Sequence, residues 1–218
     1  MDSLKLISDY ISTQFNRLND IYKWNFNLNN FPDKAYVQVG ANPYQRSRHL
    51  REMIHNNIVE NSPSSNEFQI WYVKNWGGVK TNKAETLQFY IDSKYEELLD
   101  LHSKGIATWS KVLSVRNPNQ YAIYDARVAV SLNSIQKKFN VNESILFPQL
   151  ISRNSSFVLP TQAAIKKSSF FKSHNLKDFY EIYLNILRNS VSKHEKYDIQ
   201  DAEMVLFSNA EELSSVWK

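Results

Sequence analysis

Gly105-Ile-Ala-Thr-Trp-Ser-Lys111-Val-Leu-Ser-Val-Arg-Asn-Pro-Asn-Gln-Tyr-Ala-Ile-Tyr-Asp125-Ala-Arg127-Val-Ala129 is the stretch on which the reading of this chain turns. A glycine closes one amphipathic run, the apolar residues after it open a short helix, and Asn117-Pro118-Asn119 breaks that helix. Asp125 then precedes a second apolar run. At that position a carboxylate accepts the free N–H groups of the first turn and faces the positive end of a helix. The order is helix, tight turn, helix, loop, acid, helix.

The rest of the chain reads the same way. Only four glycines and six prolines punctuate 218 residues, which favours helices. Leu4, Ile7, Ile11, Phe15 and Leu18 recur at helical spacing over residues 2–19. Residues 20–44 read as irregular, with a short alternating run, Tyr36-Val-Gln-Val39, that suits a strand. Helices are expected over 43–59, 67–75 (stopped by Gly77-Gly78), 82–101, 106–116, 125–139, 142–152, 160–172, 175–194 and 199–215. Asn142 and Asp198 serve as N-caps. The expectation is one all-α domain over residues 1–218, a multi-helix body with room for a small irregular N-terminal lobe.

Composition bounds the chemistry. With 42% hydrophobic and 13% aromatic residues the chain can build a substantial core, yet no run nears the roughly 20 apolar residues of a membrane span. The opening Met1-Asp-Ser-Leu-Lys-Leu-Ile-Ser-Asp9 carries no signal-peptide core, so a cytoplasmic protein is expected. The absence of cysteine excludes disulfides, thiolate zinc sites and Cys-ligated iron–sulfur clusters. His49, His55, His102, His174 and His194 form no metal-ligand motif, and neither metal nor cofactor is expected. Net charge is +4, a mild bias toward polyanions. Arg46, Arg48, His49 and Arg51 form one basic group and Lys166, Lys167, Lys172 and Lys177 another. Each suits either a solvated helix face or a phosphate contact. Acids gather at Glu96-Glu97 and across Asp198–Glu212, so a two-faced molecule is expected.

Two helices joined by a glycine turn, then a loop and an aspartate opening the next helix, resemble the helix-hairpin-helix DNA glycosylases. Leu101-His-Ser-Lys-Gly-Ile-Ala-Thr108 matches the hairpin (about 98–116), and Tyr121-Ala-Ile-Tyr-Asp125 matches the loop and catalytic aspartate within 117–139. Lacking cysteine, the chain resembles the branches without an iron–sulfur cluster, such as the 8-oxoguanine glycosylases. It departs from them in two places. Ala107 stands where the family hairpin has its second glycine, and Ile123-Tyr124 replaces the usual Pro or Val approach to the acid.

The resemblance implies an enzyme that binds double-stranded DNA as a monomer, flips one base and hydrolyses its N-glycosidic bond. Asp125 would stabilise the oxocarbenium character that develops only in the transition state. Lys111, two positions from the place of the family's lysine, would form a Schiff base in a bifunctional enzyme, which requires an amine of lowered pKa. Lys104, Gly105, Ile106 and Ala107 would present backbone N–H groups and a point charge to a phosphate, with Arg46, Arg48 and Arg127 as further DNA contacts. Trp76, Trp109, Tyr121 and Tyr124 are candidates for the base pocket, and the Asn42–Arg46 turn for a wedge or phosphate contact. The favoured substrate is a glucosylated hydroxymethylcytosine of phage DNA, an antiviral role; an oxidised purine such as 8-oxoguanine is next.

Each residue also has a plainer reading: Asp125 as a helix cap, Lys111 as a solvent-facing lysine, Arg127 as half of an ion pair, the aromatics as core. The rival function is a non-catalytic helix-hairpin-helix DNA-binding module. A nuclease is weaker, because no carboxylate cluster is evident.

Overall fold

Apolar periodicity decides most of the fold. The computed structural model describes residues 2–36, 38–173 and 177–218; it is all-helical, with no strand among those residues. Helix α1 (Ser3–Gln14) passes through a 3₁₀ turn at Phe15–Arg17 into α2 (Leu18–Ile21). Irregular chain then leads to α3 (Pro43–Val59), α4 (Ser65–Trp71) and a π-helical extension at Tyr72–Trp76. There follow α5 (Ala84–Asp92), α6 (Tyr95–Leu99), α7 (Ile106–Arg116), α8 (Ala126–Lys138), α9 (Val158–Lys167), α10 (Phe179–Val191) and α11 (Ile199–Ser214). No described helix is long and apolar enough to cross a membrane.

Two apolar clusters organise these helices. The larger is centred on α8, which packs along α11 while α1 and α10 close over them. Every residue from Val128 to Gln136 is buried, so α8 is covered on all sides. The smaller cluster gathers Phe31, Leu50, Ile54, Phe68, Trp71 and Trp76 from the irregular segment, α3, α4 and its π-helical extension. Trp24 packs against both. This second cluster also takes Val115 of α7 and Ile123, so it is not built from the N-terminal segment alone.

Three expectations require correction. The run 142–152 forms no helix. Pro148 disfavours helical backbone at Phe147, and two side chains of α8 take the backbone groups a helix would need. Gln136 accepts from Ile145 N at 2.7 Å and donates to Ile145 O at 2.8 Å; Asn133 pairs in the same way with Phe147, at 2.9 and 3.0 Å. Asn142 therefore caps nothing.

The run 82–101 is two helices. Ser93 turns extended, its carbonyl accepts from Arg116 at 2.9 Å, and Glu97 accepts from Lys94 N at 2.7 Å to start α6 afresh. Third, Tyr36, Gln38 and Val39 are irregular, and Val37 lies outside the described residues, as do His174 and the first two residues of the run expected over 175–194.

The Gly77-Gly78 stop is as expected. Gly77 N donates to Tyr72 O at 2.8 Å, the wider π spacing, and Val79 N reaches back to Val73 O at 3.1 Å across a left-handed Gly78 (φ 66°).

Candidate functional site

Helix α7 is buried over nearly its whole length, its serines and threonine included, so whichever residue occupies position 111 is carried into the interior. That residue is a lysine. Lys111 is only 4% exposed, and its Nζ donates to Ala107 O at 2.6 Å. The expectation of a solvent-facing lysine is corrected. Burial pushes its pKa below the ordinary lysine value; Asp125 and Glu203 pull it back up, and Arg51 lowers it further.

The turn after Trp76 lies directly against this side chain. A Cβ on Gly77 would stand 2.6 Å from Lys111 Cε and 2.7 Å from Cδ, so only glycine lets the two chains meet.

Asp125 is the N-cap of α8, accepting from Arg127 N and Val128 N at 2.9 Å each. Both bonds go to one oxygen, Oδ1. The carboxylate is half-buried, and it raises the Lys111 pKa without forming an ion pair with that amine among the described residues. The acid and the amine that the sequence singled out therefore share one electrostatic environment.

A buried pair completes the group. Arg51 of α3 and Glu203 of α11 are 1% and 2% exposed, and Arg51 Nη1 donates to Glu203 Oε2 at 2.7 Å and to Gln200 Oε1 at 3.3 Å. Burial pushes the Glu203 carboxyl above the usual carboxylate range while Arg51 pulls against it. Neither residue was placed in the site from sequence. A signal existed: Ser47, Leu50, Arg51 and Ile54 follow the i, i+3, i+4, i+7 rule, which puts Arg51 on the buried face of α3.

The basic group of α3 is thus largely consumed. Arg48 makes a two-pronged contact to Asp198 at 2.8 and 2.6 Å and lies 3.5 Å from Asp201, so it is no free DNA contact. Three of the acids of Asp198–Glu212, expected on an opposite face, oppose this group directly: Asp198, Asp201 and Glu203. Arg46 remains partly exposed, donating to Asn25 Oδ1 at 3.0 Å. The Asn42–Arg46 turn is the start of α3, capped by Asn42 and tied by Tyr44 OH to Asp201 at 2.9 Å, and not a projecting wedge. The Arg127 side chain neither braces Asp125 nor forms an ion pair among the described residues; its guanidinium lies over the rings of Phe157 and Phe207, at 5.1 and 4.9 Å.

The hairpin forms between α6 and α7. Gly105 takes φ 72° and abuts Tyr90, whose hydroxyl would be 2.0 Å from an added Cβ. Lys104 is exposed, and the N–H groups of Gly105 and Ala107 donate to no acceptor among the described residues. Ile106 is buried, its side chain in the larger core and its N–H 3.4 Å from Ser103 O.

Of the aromatic candidates, Trp109 and Tyr124 are fully buried core residues, which corrects their expected place in an open pocket. Trp109 Nε1 donates to Lys104 O at 3.1 Å and braces the hairpin; Tyr124 OH donates to Pro148 O at 2.8 Å. Tyr121 is partly exposed against Tyr95, away from Lys111 on the α6 side. Trp76 does adjoin the site: Arg51 lies 5.1 Å from its ring centre, and Tyr72 stacks on it at 4.5 Å. No group of three or more His, Asp or Glu residues suited to a metal occurs among the described residues.

Comparison of the chain with protein-family models, curated proteins and solved structures gives no match.

Proposed function

We propose that the protein is a DNA glycosylase that flips a modified base from duplex DNA and breaks its N-glycosidic bond at the Lys111–Asp125 site. The observation that carries the reading is a buried lysine, Lys111, on the helix that starts at a turn with two unpaired N–H groups, its lowered pKa pulled back up by the helix-capping carboxylate of Asp125. A carboxylate held by the start of α8 keeps one oxygen uncommitted, and that oxygen stabilises positive charge developing on the sugar. The exposed Lys104 and the Gly105 and Ala107 amides suit a phosphate of the bound strand. A buried amine of lowered pKa suits attack on the sugar, with loss of the base and formation of an imine. The favoured substrate is a glucosylated hydroxymethylcytosine, with 8-oxoguanine next, and the working form is a monomer.

Mass spectrometry of bases released from duplex DNAs tests this. The panel holds 8-oxoguanine, uracil, alkylated purines and glucosylated cytosines. Wild type should release one base, and Asp125→Asn should lose at least about a hundredfold in rate while keeping DNA affinity. Borohydride should trap the wild type on DNA if Lys111 forms the imine, and should not trap Lys111→Met. Binding without release in both proteins would leave the non-catalytic DNA-binding module.

A further inference from the structure

The least explained atoms of the molecule lie beside this site. Arg51 uses only Nη1, on Glu203 and Gln200. Its Nε and Nη2 are buried without a partner, and so is Nε1 of Trp76. Nε and Nη2 form the side edge of the guanidinium, two parallel N–H bonds in one plane. Buried donors are nearly always satisfied, and a cationic donor is the costliest to leave bare. Three fixed N–H donors with no acceptor are a template for a group that brings acceptors in.

We propose that Arg51 is the base-reading residue of this site, its free Nε–Nη2 edge taking a nucleobase that offers two adjacent acceptors, with Trp76 Nε1 as a third donor. The inference rests on the glycosylase reading and narrows its substrate. Cytosine offers such a pair in O2 and N3, and guanine in O6 and N7. Uracil and thymine carry a hydrogen on N3, adenine sets its amine beside both N1 and N7, and 8-oxoguanine carries a hydrogen on N7. Arg51 thus selects a cytosine-type or an intact guanine ring against uracil and 8-oxoguanine. In cytosine the C5 position lies across the ring from C2, so a substituent there is compatible with the contact.

The placement is consistent. Trp76 bears on Arg51, and Gly77, the next residue, bears on Lys111, so reader and amine are separated by a single turn of chain. Arg51 is closed off from solvent, so a base reaches it only when the Trp76-Gly77-Gly78 turn moves aside. A side chain at Gly78 would meet nothing within 4 Å, and its carbonyl is held from outside by the exposed Arg153 at 3.1 Å.

The test measures binding of the Asp125→Asn protein to duplexes that differ in one residue placed opposite an abasic spacer. That residue is 5-hydroxymethylcytosine, its glucosylated form, 5-hydroxymethyluracil, guanine or 8-oxoguanine. The two hydroxymethyl pyrimidines differ at N3 and at the neighbouring exocyclic group, so their ratio reads the edge facing Arg51. Cytosine-type DNA should bind about tenfold or more tighter than the uracil type, and guanine tighter than 8-oxoguanine. The tighter of cytosine and guanine identifies the source.

Arg51→Lys should bring both ratios near one. Where that variant does not fold by circular dichroism, Trp76→Phe, which keeps a ring and removes one donor, should reduce them. Equal binding of cytosine and uracil types, or ratios unchanged in folded Arg51→Lys, would overturn the proposal. Base release by the wild type is scored separately. Discrimination without release sinks the glycosylase and keeps the reader; release without discrimination does the reverse.

Discussion

Lys111 is the residue whose charge state is most exposed to its surroundings. An unfolded lysine titrates near about 10.4, and burial lowers the folded value. Between the two, the unfolded chain binds more protons, so stability rises with pH across that window. The cost of holding the ammonium inside is full below the folded pKa and gone above the unfolded one. Lys111→Met removes this titration. Its stability relative to wild type, from urea midpoints, should therefore be higher at pH 7 than at about pH 10; a pH-independent difference would show that the amine is well solvated.

Sequence reasoning singled out Lys111 and Asp125 because a turn, a break and a cap frame them. It missed Arg51 and Glu203 because a charged residue on a helix reads as solvated until the face it occupies is compared with its neighbours. It placed Trp109 and Tyr124 in a pocket because proximity along the chain to Asp125 says nothing about direction. Both rings are turned inward.

At the scale of elements, the π-helical extension and its two glycines separate cleanly into different roles. Gly77 has an ordinary backbone and no room: a Cβ would press on Lys111 and stand 2.9 Å from Val73 O. Gly78 has room and a left-handed backbone. Gly77→Ala should therefore cost about 1–3 kcal/mol through overpacking and displace Lys111, so that borohydride trapping falls with stability. Gly78→Ala should cost about 1–2 kcal/mol in backbone strain alone and leave trapping intact. Urea midpoints and trapping yields on both variants separate the two accounts.

The helices themselves were legible because their apolar residues repeat at 3.6. The failures came where something off the segment decided. Residues 142–152 repeat acceptably, but Asn133 and Gln136 reach over from α8 and hold the chain extended. A single sequence does not announce that two amides nine and fourteen residues upstream are aimed at it.

For the molecule as a whole, the seam between the two apolar clusters is crossed by charge. Tyr44, Arg48 and Arg51 of α3 meet Asp198, Asp201 and Glu203 around the start of α11. Replacing a buried ion pair by apolar residues is often neutral, whereas removing one member strands the other. Glu203→Gln should thus cost about 3–5 kcal/mol, and Arg51→Met combined with Glu203→Leu should recover much of it, by urea denaturation of the three proteins. Equal losses in the single and the double variant would mean that the pair acts through shape alone.

The larger cluster has a consequence for how the chain assembles. Helix α1 is sealed by α10, and Ser8 Oγ bonds to Ile186 O across 178 residues of sequence. During synthesis at roughly 5–20 residues per second, the apolar stripe of α1 must wait many seconds for its partners to leave the ribosome. Meanwhile the smaller cluster, whose buried residues end at Ile123, has all its parts made much earlier. Arg51 is therefore made well before its partner Glu203, and that buried pair can close only when nearly the whole chain has been synthesised.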